Sequence, residues 1–357
     1  MRIGIVGCGK IAEGHVEEIH KIPAVQLVAV CDLEPIMAEQ LSVRYKIPKC
    51  YSNFQEMLSR EALDVVHITT PPQSHLSLTC MATSAGCHVL VEKPLAMTYS
   101  NAKLLIDTVE RAGRKLTINY WPNFERPALD LKEIVSSGVL GDPVHVESYL
   151  GYNLAGAFGQ ALLADMDHWV HRLPGKLFQN NLDHVLNKIV HYLPDGDVEI
   201  YPLAYRRRAA TASIADQMPD ELRVIVRAGN VSAYATFCSH ARPVAHFLRV
   251  YGTKNTVHVD FNARTLVLEV DQTVPSALGR LLPAYQQSRS YMRQAIINFK
   301  DFARYNFNFF AGMNRLFTQF YSSITENKPV PIPYSQILRV SWMMDEIFRT
   351  LTPGDNL

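Results

Sequence analysis

An apolar run from Ile3 to Val6 leads straight into Gly7-Cys8-Gly9-Lys10-Ile11-Ala12, and a second apolar run beginning at Gln26 stops at Asp32, twenty residues past Ala12. Few sequence features restrict a fold so tightly. A strand has to end, turn within two or three residues and open a helix whose first turn comes close to something. Gly7 permits the tight turn, Gly9 lets the backbone approach a pyrophosphate, and the small Ala12 lets the helix pack onto the strand. The amino terminus of that helix, at Lys10 and Ile11, presents backbone N–H groups to the phosphates. Asp32, at the end of the second strand, can accept hydrogen bonds from ribose hydroxyls, and its charge repels a 2′-phosphate. The motif therefore favours NAD as cofactor, with NADP disfavoured.

The rest of the amino-terminal third keeps the same rhythm. Short runs rich in β-branched residues, Val65 to Thr69, His88 to Val91 and Leu116 to Ile118, alternate with helix-length stretches: Ala12 to His20, Ile36 to Tyr45, Phe54 to Ser59, Ser74 to Ala85 and Ser100 to Ala112. Strands separated by crossover helices form a parallel, doubly wound sheet of the Rossmann type, so residues 1–121 are expected to be an NAD-binding α/β domain. Near Trp121 the pattern changes. One helix, Ala128 to Ser136, and a Gly141-Asp142-Pro143 turn lead to strands at Val144 to Leu150, Leu222 to Arg227, Ser232 to Cys238, Phe247 to Tyr251 and Thr256 to Asp260. Residues 122–357 are accordingly expected to form an α+β domain with a largely antiparallel, open sheet, for substrate binding and oligomerisation.

Thr70-Pro71-Pro72-Gln73-Ser74-His75 and Val91-Glu92-Lys93-Pro94-Leu95, with Tyr51 to Leu58 and Gly86 to Ala96, resemble the Gfo/Idh/MocA family of glucose-fructose oxidoreductases and inositol dehydrogenases. The resemblance runs from Arg2 to about Leu193 and returns more loosely from Pro331 to Phe348. It implies a nicotinamide cofactor, cofactor contacts from Thr70, Pro71, His75, Glu92, Lys93 and Asn119, and a homodimer or homotetramer built through the open sheet. It also implies that Lys93 lies beside nicotinamide and substrate, with Tyr120 lining the substrate site. The physical placement agrees. Lys93 follows a buried strand at the carboxyl edge of the sheet, where ligands of such folds bind, and an ammonium there stabilises negative charge on an alcohol oxygen as hydride leaves its carbon.

The family pattern Asp-x-x-x-His corresponds here to Asn180 and His184, within Gly175 to Asn187. Four-residue spacing puts both side chains on one helix face. His184 is the candidate general base, since imidazole is largely neutral near pH 7. Asn180 departs from the usual Asp and is limited to orienting substrate or ring through hydrogen bonds; Asn187 stands where an Asp is also common. Trp169 and His171, shortly before Gly175, are close enough to it to line the substrate pocket, as an aromatic face for a sugar ring would. Asp165, Asp167, His168 and His171 lack the geometry of a known metal site and read as a solvated turn, so no metal is expected. Arg206, Arg207 and Arg208 are candidates for a diphosphate or carboxylate, against the plainer reading of a solvated edge.

Composition narrows the partners. Thirty-five Lys and Arg against 34 Asp and Glu give a formal charge of +1, which leaves no global field for nucleic acid. Six cysteines without a CxxC pair or regular spacing argue against a zinc site or a disulfide framework. The chain enters its first strand at Ile3, and no apolar run approaches the length of a membrane span, so a cytoplasmic location is expected. Ser276 to Tyr321 is helical in pattern and rich in Tyr and Phe with interleaved Arg and Lys. Core or subunit contact is the plainer reading of that segment, and a helix lying on a membrane surface is the other. The leading functional expectation is an NAD-dependent dehydrogenase acting on a secondary hydroxyl of a sugar, cyclitol or nucleotide sugar. Two others stay open: an NAD-recycling glycosidase or epimerase that oxidises transiently, and a non-catalytic regulator that binds NAD and sugar.

Overall fold

The computed structural model describes residues 1–165, 167–207, 219–271, 274, 276–303 and 310–351. They belong to two compact units, Met1–Trp121 with Phe309–Trp342, and Pro122–Asn308 with Met343–Leu357. The first unit begins with β1 (Arg2–Val6), α1 (Lys10–Ile19), β2 (Gln26–Cys31), α2 (Pro35–Tyr45), β3 (Lys49–Tyr51) and α3 (Phe54–Arg60). It continues with β4 (Val65–Ile68), α4 (His75–Ser84), β5 (His88–Val91), α5 (Tyr99–Arg111) and β6 (Leu116–Ile118). The six strands are ordered β3-β2-β1-β4-β5-β6, every neighbour parallel. β4 and β6 are buried at every position, as strands covered by helices on both faces must be. The direction of winding reverses between β1 and β4, so the chain leaving them, at Gly7 and Thr69, borders the crevice where such sheets hold ligands.

Local signals set the helix ends. Pro35 sits in the first turn of α2, where its missing N–H costs nothing. The Asn53 side chain accepts the Glu56 N–H at 3.0 Å to cap α3, and Thr98 does the same for Asn101 at the start of α5. β3 was not expected from sequence: it is three residues long and lies at the sheet edge, too short for any alternation to register.

The second unit comprises α6 (Arg126–Ser136), β7 (Pro143–Gly151), α7 (Ala157–Ala164), α8 (Lys176–Asn181), α9 (Asp183–Ile189) and β8 (Val198–Tyr205). After these come β9 (Glu221–Ala228), β10 (Val231–Cys238), β11 (His246–Gly252), β12 (Asn255–Asp260), β13 (Thr265–Val270) and α10 (Ser276–Ala303). Its seven strands run β13-β12-β11-β7-β10-β9-β8. Neighbours are antiparallel except β7 with β10, which makes the sheet mixed. α9 packs on β7 and β10 and covers one face. On the other face Tyr201, Leu203, Ile225 and Tyr234 are exposed.

α11 (Ala311–Thr325) and the first half of α12 (Tyr334–Thr350) belong to the first unit, although they lie within the stretch 122–357 whose pattern suggests a separate second domain. The cause is an apolar stripe on α11. Met313, Leu316, Phe317 and Phe320 recur at helical spacing and are fully buried, with the Phe317 ring tilted against that of His15 and edge-on to that of His67. The Lys115 ammonium donates to the carbonyl of Lys328, and the Leu116 N–H donates to the Tyr334 hydroxyl, which fastens the returning segment beside β6.

Candidate active site

The glycine turn is built as its residue types require. Gly7 has φ +95°, and a Cβ there would lie 2.7 to 2.8 Å from Thr69 and Thr70, so both the dihedral and the close approach exclude a side chain. Gly9 is the N-cap of α1, and, its chain neighbours aside, a Cβ on it would meet no atom of the described residues within 4 Å. That open side, next to the amino terminus of α1, fits a pyrophosphate. Ala12 is fully buried against the sheet, Ile11 is half-buried, and the exposed Lys10 pairs with Glu13. Asp32 ties the turn to β2: one carboxylate oxygen accepts the Cys8 N–H at 2.6 Å, the other the Glu34 N–H at 3.0 Å. A carboxylate offers about four lone-pair directions, so both oxygens retain capacity for ribose hydroxyls. Cys8, between the two glycines, has its thiol pushed up to about 12, first by burial and then by the Asp32 charge. It stays protonated and serves as a packing residue rather than a nucleophile.

Past β4, Thr70 and Pro71 form a turn held from beneath by His75. The ring of His75 is fully buried; Nε2 lies 2.8 Å from the Thr70 carbonyl and Nδ1 lies 3.1 Å from those of Pro94 and Leu95. It thus braces the Thr70 turn against the Lys93-Pro94 turn, whose peptide bond is cis.

Glu92 ends β5 and is buried together with Asn119, His15, His67 and Tyr321. One of its oxygens accepts the Asn119 amide N–H at 2.5 Å and faces His15 Nε2 at 2.8 Å; the other accepts the Lys93 backbone N–H at 3.1 Å. His15 Nδ1 meets His67 Nδ1 at 2.8 Å, and His67 Nε2 meets the Tyr321 hydroxyl at 2.8 Å. With both rings neutral and Glu92 ionised, only one donor order satisfies every pair. Tyr321 donates to His67, His67 to His15, and His15 to Glu92. Burial alone would raise the Glu92 carboxyl, but the hydrogen bond from His15, the Asn119 amide and the Lys93 ammonium hold its pKa below the usual carboxylate value. His67 is pushed well below the ordinary histidine value by burial and by His15. Lys93 emerges half-buried from this anchored strand end, and Tyr120, after Asn119, is buried.

The second-domain candidates lie in the other unit. Asn180 is in α8 and His184 in α9, which abut at Leu182, itself in helical conformation. Asn180 is buried and His184 half-buried. Asn187 is buried, and its amide has no hydrogen-bond partner among the described residues. Trp169 is half-buried and stacked on His168, with ring centroids 5.7 Å apart. The charged turn before it is locally satisfied: Asp165 accepts the Asp167 N–H, and His171 Nε2 lies 2.7 Å from the Leu162 carbonyl. Arg206 and Arg207 are exposed after β8, and Arg208 lies outside the described residues.

Several residues escaped the sequence reading. His15 falls on the buried stripe of α1 with Ala12, Val16 and Ile19, and His67 interrupts the apolar run of β4. A polar residue at an apolar position was the available signal in each case. In the second unit Lys188 is fully buried, donates to the His184 carbonyl at 2.6 Å and lies over the Phe261 ring. Burial depresses its pKa to about 8 against the raising influence of Glu125 and Asp183.

Residues 1–120 match the Gfo/Idh/MocA family, described as an oxidoreductase family with an NAD-binding Rossmann fold. D-glucoside 3-dehydrogenase of Escherichia coli (strain K12) is 35% identical over 143 residues, 40% of this chain and 41% of that protein. Inositol 2-dehydrogenase of Salmonella typhimurium is 28% identical over 182 residues, 48% of this chain and 54% of that protein. The chain thus spans about half the length of the curated relatives it matches. Over 99% of this chain and 96% of the other, the fold is that of the WlbA dehydrogenase from Bordetella pertussis, solved with NADH and UDP-GlcNAcA, at a TM-score of 0.78 and 18% identity. The glycine turn closed by Asp32, the Glu92-Lys93-Pro94 turn, the parallel strand order and the family match agree over residues 1–120, which form an NAD-binding Rossmann domain like that of the Gfo/Idh/MocA oxidoreductases.

Proposed function

We propose that the chain is a cytoplasmic dehydrogenase that moves hydride between a nicotinamide cofactor and a secondary hydroxyl of a sugar, cyclitol or nucleotide sugar. The observation that carries this reading is Lys93, set at the carboxyl end of β5 on a backbone that the buried Glu92 network holds. Bound NAD supplies the hydride acceptor. Lys93 hydrogen-bonds the substrate oxygen and stabilises the negative charge that builds there as its carbon loses hydride. His184 takes the hydroxyl proton, leaving a carbonyl, and Asn180 orients substrate or imidazole without adding charge. Trp169 and Tyr120 give the sugar ring apolar surface. Thr70, Pro71 and the glycine turn hold the dinucleotide; His75 and Asn119 act through the turns and the carboxylate they fix. Relatives named for glucoside and inositol oxidation support a polyhydroxylated substrate. The six unbridged cysteines suit a reducing compartment.

The test separates binding from chemistry. Lys93→Met should leave stabilisation by NAD in a thermal-shift assay unchanged while lowering turnover on a responsive sugar at least about a hundredfold, the loss typical of removing one such donor. Asp32→Ala should weaken NAD more than NADP. Full turnover by Lys93→Met would remove the lysine from the mechanism, and an unresponsive wild-type protein with either dinucleotide would remove the reading altogether.

A further inference from the structure

α10 presents the wrong face to the rest of its unit. The side turned to the unit is mixed, with Leu282, Pro283 and Ile297 half-buried among polar anchors: Gln287 donates to Glu269 of β13 at 3.3 Å, the Asn298 amide donates to the Ala263 carbonyl at 2.9 Å, and Asp301 accepts from Arg126 at 3.5 Å. The opposite side carries Leu278, Leu281, Tyr285, Met292, Ile296 and Phe299, spaced three, four or seven residues apart along one stripe, and all are exposed, Phe299 by 72%. No described side chain of this 28-residue helix is buried. An ordinary surface helix turns its apolar stripe to the core and its polar side to water. This one leaves its larger apolar stripe exposed.

The charges say what the stripe faces. Arg289, Arg293 and Lys300 follow one another at four and seven residues and so line one flank of the stripe, with Arg280 on the other. The Arg289 guanidinium lies over the Tyr285 ring at 5.9 Å. Four basic side chains against the single acid Asp301 give α10 a charge of +3 in a chain whose total is +1. A second copy laid on the same stripe would bring like-charged flanks together. An anionic lipid surface meets both features at once, taking the aliphatic and aromatic side chains among its acyl chains and the arginines and lysine among its headgroups. We propose that α10 is an interfacial helix that docks the protein, lying flat, on an anionic membrane surface. It does not cross the bilayer: no helix among the described residues is long and apolar enough to do so.

The inference is independent of the catalytic reading, and its test needs no substrate. The full chain is floated with vesicles of phosphatidylcholine alone and of phosphatidylcholine mixed with phosphatidylglycerol, at low and high salt. Wild-type protein should float with the anionic vesicles, less so at high salt. Arg293→Glu with Lys300→Glu should weaken partition by about fivefold or more for each basic residue lost. Leu281→Gln with Phe299→Gln should weaken it at both salt levels. All four positions are on the surface, so unchanged melting temperatures would show that the variants remain folded. Wild-type protein that stays unbound on anionic vesicles would overturn the proposal, as would variants that float as well as wild type. Sedimentation of the same samples identifies the competing occupant: a dimer that Leu281→Gln with Phe299→Gln turns into monomer, without flotation, would assign the stripe to a second copy.

Discussion

His67 is held between the Tyr321 hydroxyl and the His15 ring in a site without water-facing surface, and its ability to stay neutral is what makes that site tolerable. The cost appears on acidification. Because the folded protein holds the His67 pKa well below its ordinary value, the unfolded chain binds the proton first, and stability is lost as pH falls below about 6.5. The depressed Glu92 pKa acts in the same sense further into acid: its contribution is present above the usual carboxylate value and lost as pH falls through the depressed one. His67→Leu should therefore lower stability at pH 7 by about 1–3 kcal/mol, because Tyr321 and His15 lose a partner, yet soften the fall in stability between pH 7 and pH 5. Denaturant titrations at the two pH values check both halves, and equal slopes for variant and wild type would show that His67 does not carry the acid sensitivity. The sequence made Gly7, Gly9, Asp32 and Lys93 legible because each sits at a fixed offset in a motif with a mechanical reason. It did not reveal the His67–His15–Glu92 chain, which joins β4, α1 and β5 and has no local spacing to announce it.

At the scale of elements, strands and helices of the first unit were readable because buried parallel strands are short β-branched runs and their crossover helices carry caps that the sequence spells out, as Asn53 and Thr98 do. β8 and β13 were missed for the opposite reason. β8 exposes every second residue, among them Tyr201 and Leu203, so apolar side chains appear on both faces and the alternation that marks a half-buried strand is lost. The return of α11 is the larger surprise, because an aromatic helical stretch says that a face is buried without saying against which domain. Phe317 makes that contact specific, fully buried against His15 and His67 with ring centroids 5.1 and 4.8 Å away. Phe317→Ala should cost about 3–5 kcal/mol, the range for emptying a buried aromatic site. The same substitution should raise amide exchange in α1 and α11 before β9 and β10. Exchange that rises first in the second unit would mean that α11 does not stabilise the first one.

At the scale of the whole molecule, the outer face of the second sheet carries an exposed apolar row. Ile225 of β9 is in register with Tyr234 of β10 on one side and Tyr201 of β8 on the other, so the three form a row across three strands, each 47% exposed or more. Arg223 and Arg227, flanking Ile225 on the same face of β9, pair with Glu221 and Glu199, which supplies a polar rim around an apolar centre. Antiparallel sheets commonly leave one face to water, but then that face is polar. Aromatic and branched residues aligned across strands instead suit a self-complementary contact between two copies, the homo-oligomer that the family resemblance implies. Ile225 is the residue to change, because it sits at the middle of the row and its side chain is surface-exposed in the single chain. Ile225→Lys should leave the melting of the isolated chain within about 0.5 kcal/mol of wild type, as surface substitutions do, while placing two ammonium groups opposite each other across a twofold contact. Sedimentation velocity over a concentration series should then show a wild-type dimer or tetramer and an Ile225→Lys species of lower mass. The same assembly in both proteins would move the subunit contact away from this sheet, and a wild-type monomer at every concentration would leave the row to a partner of another kind.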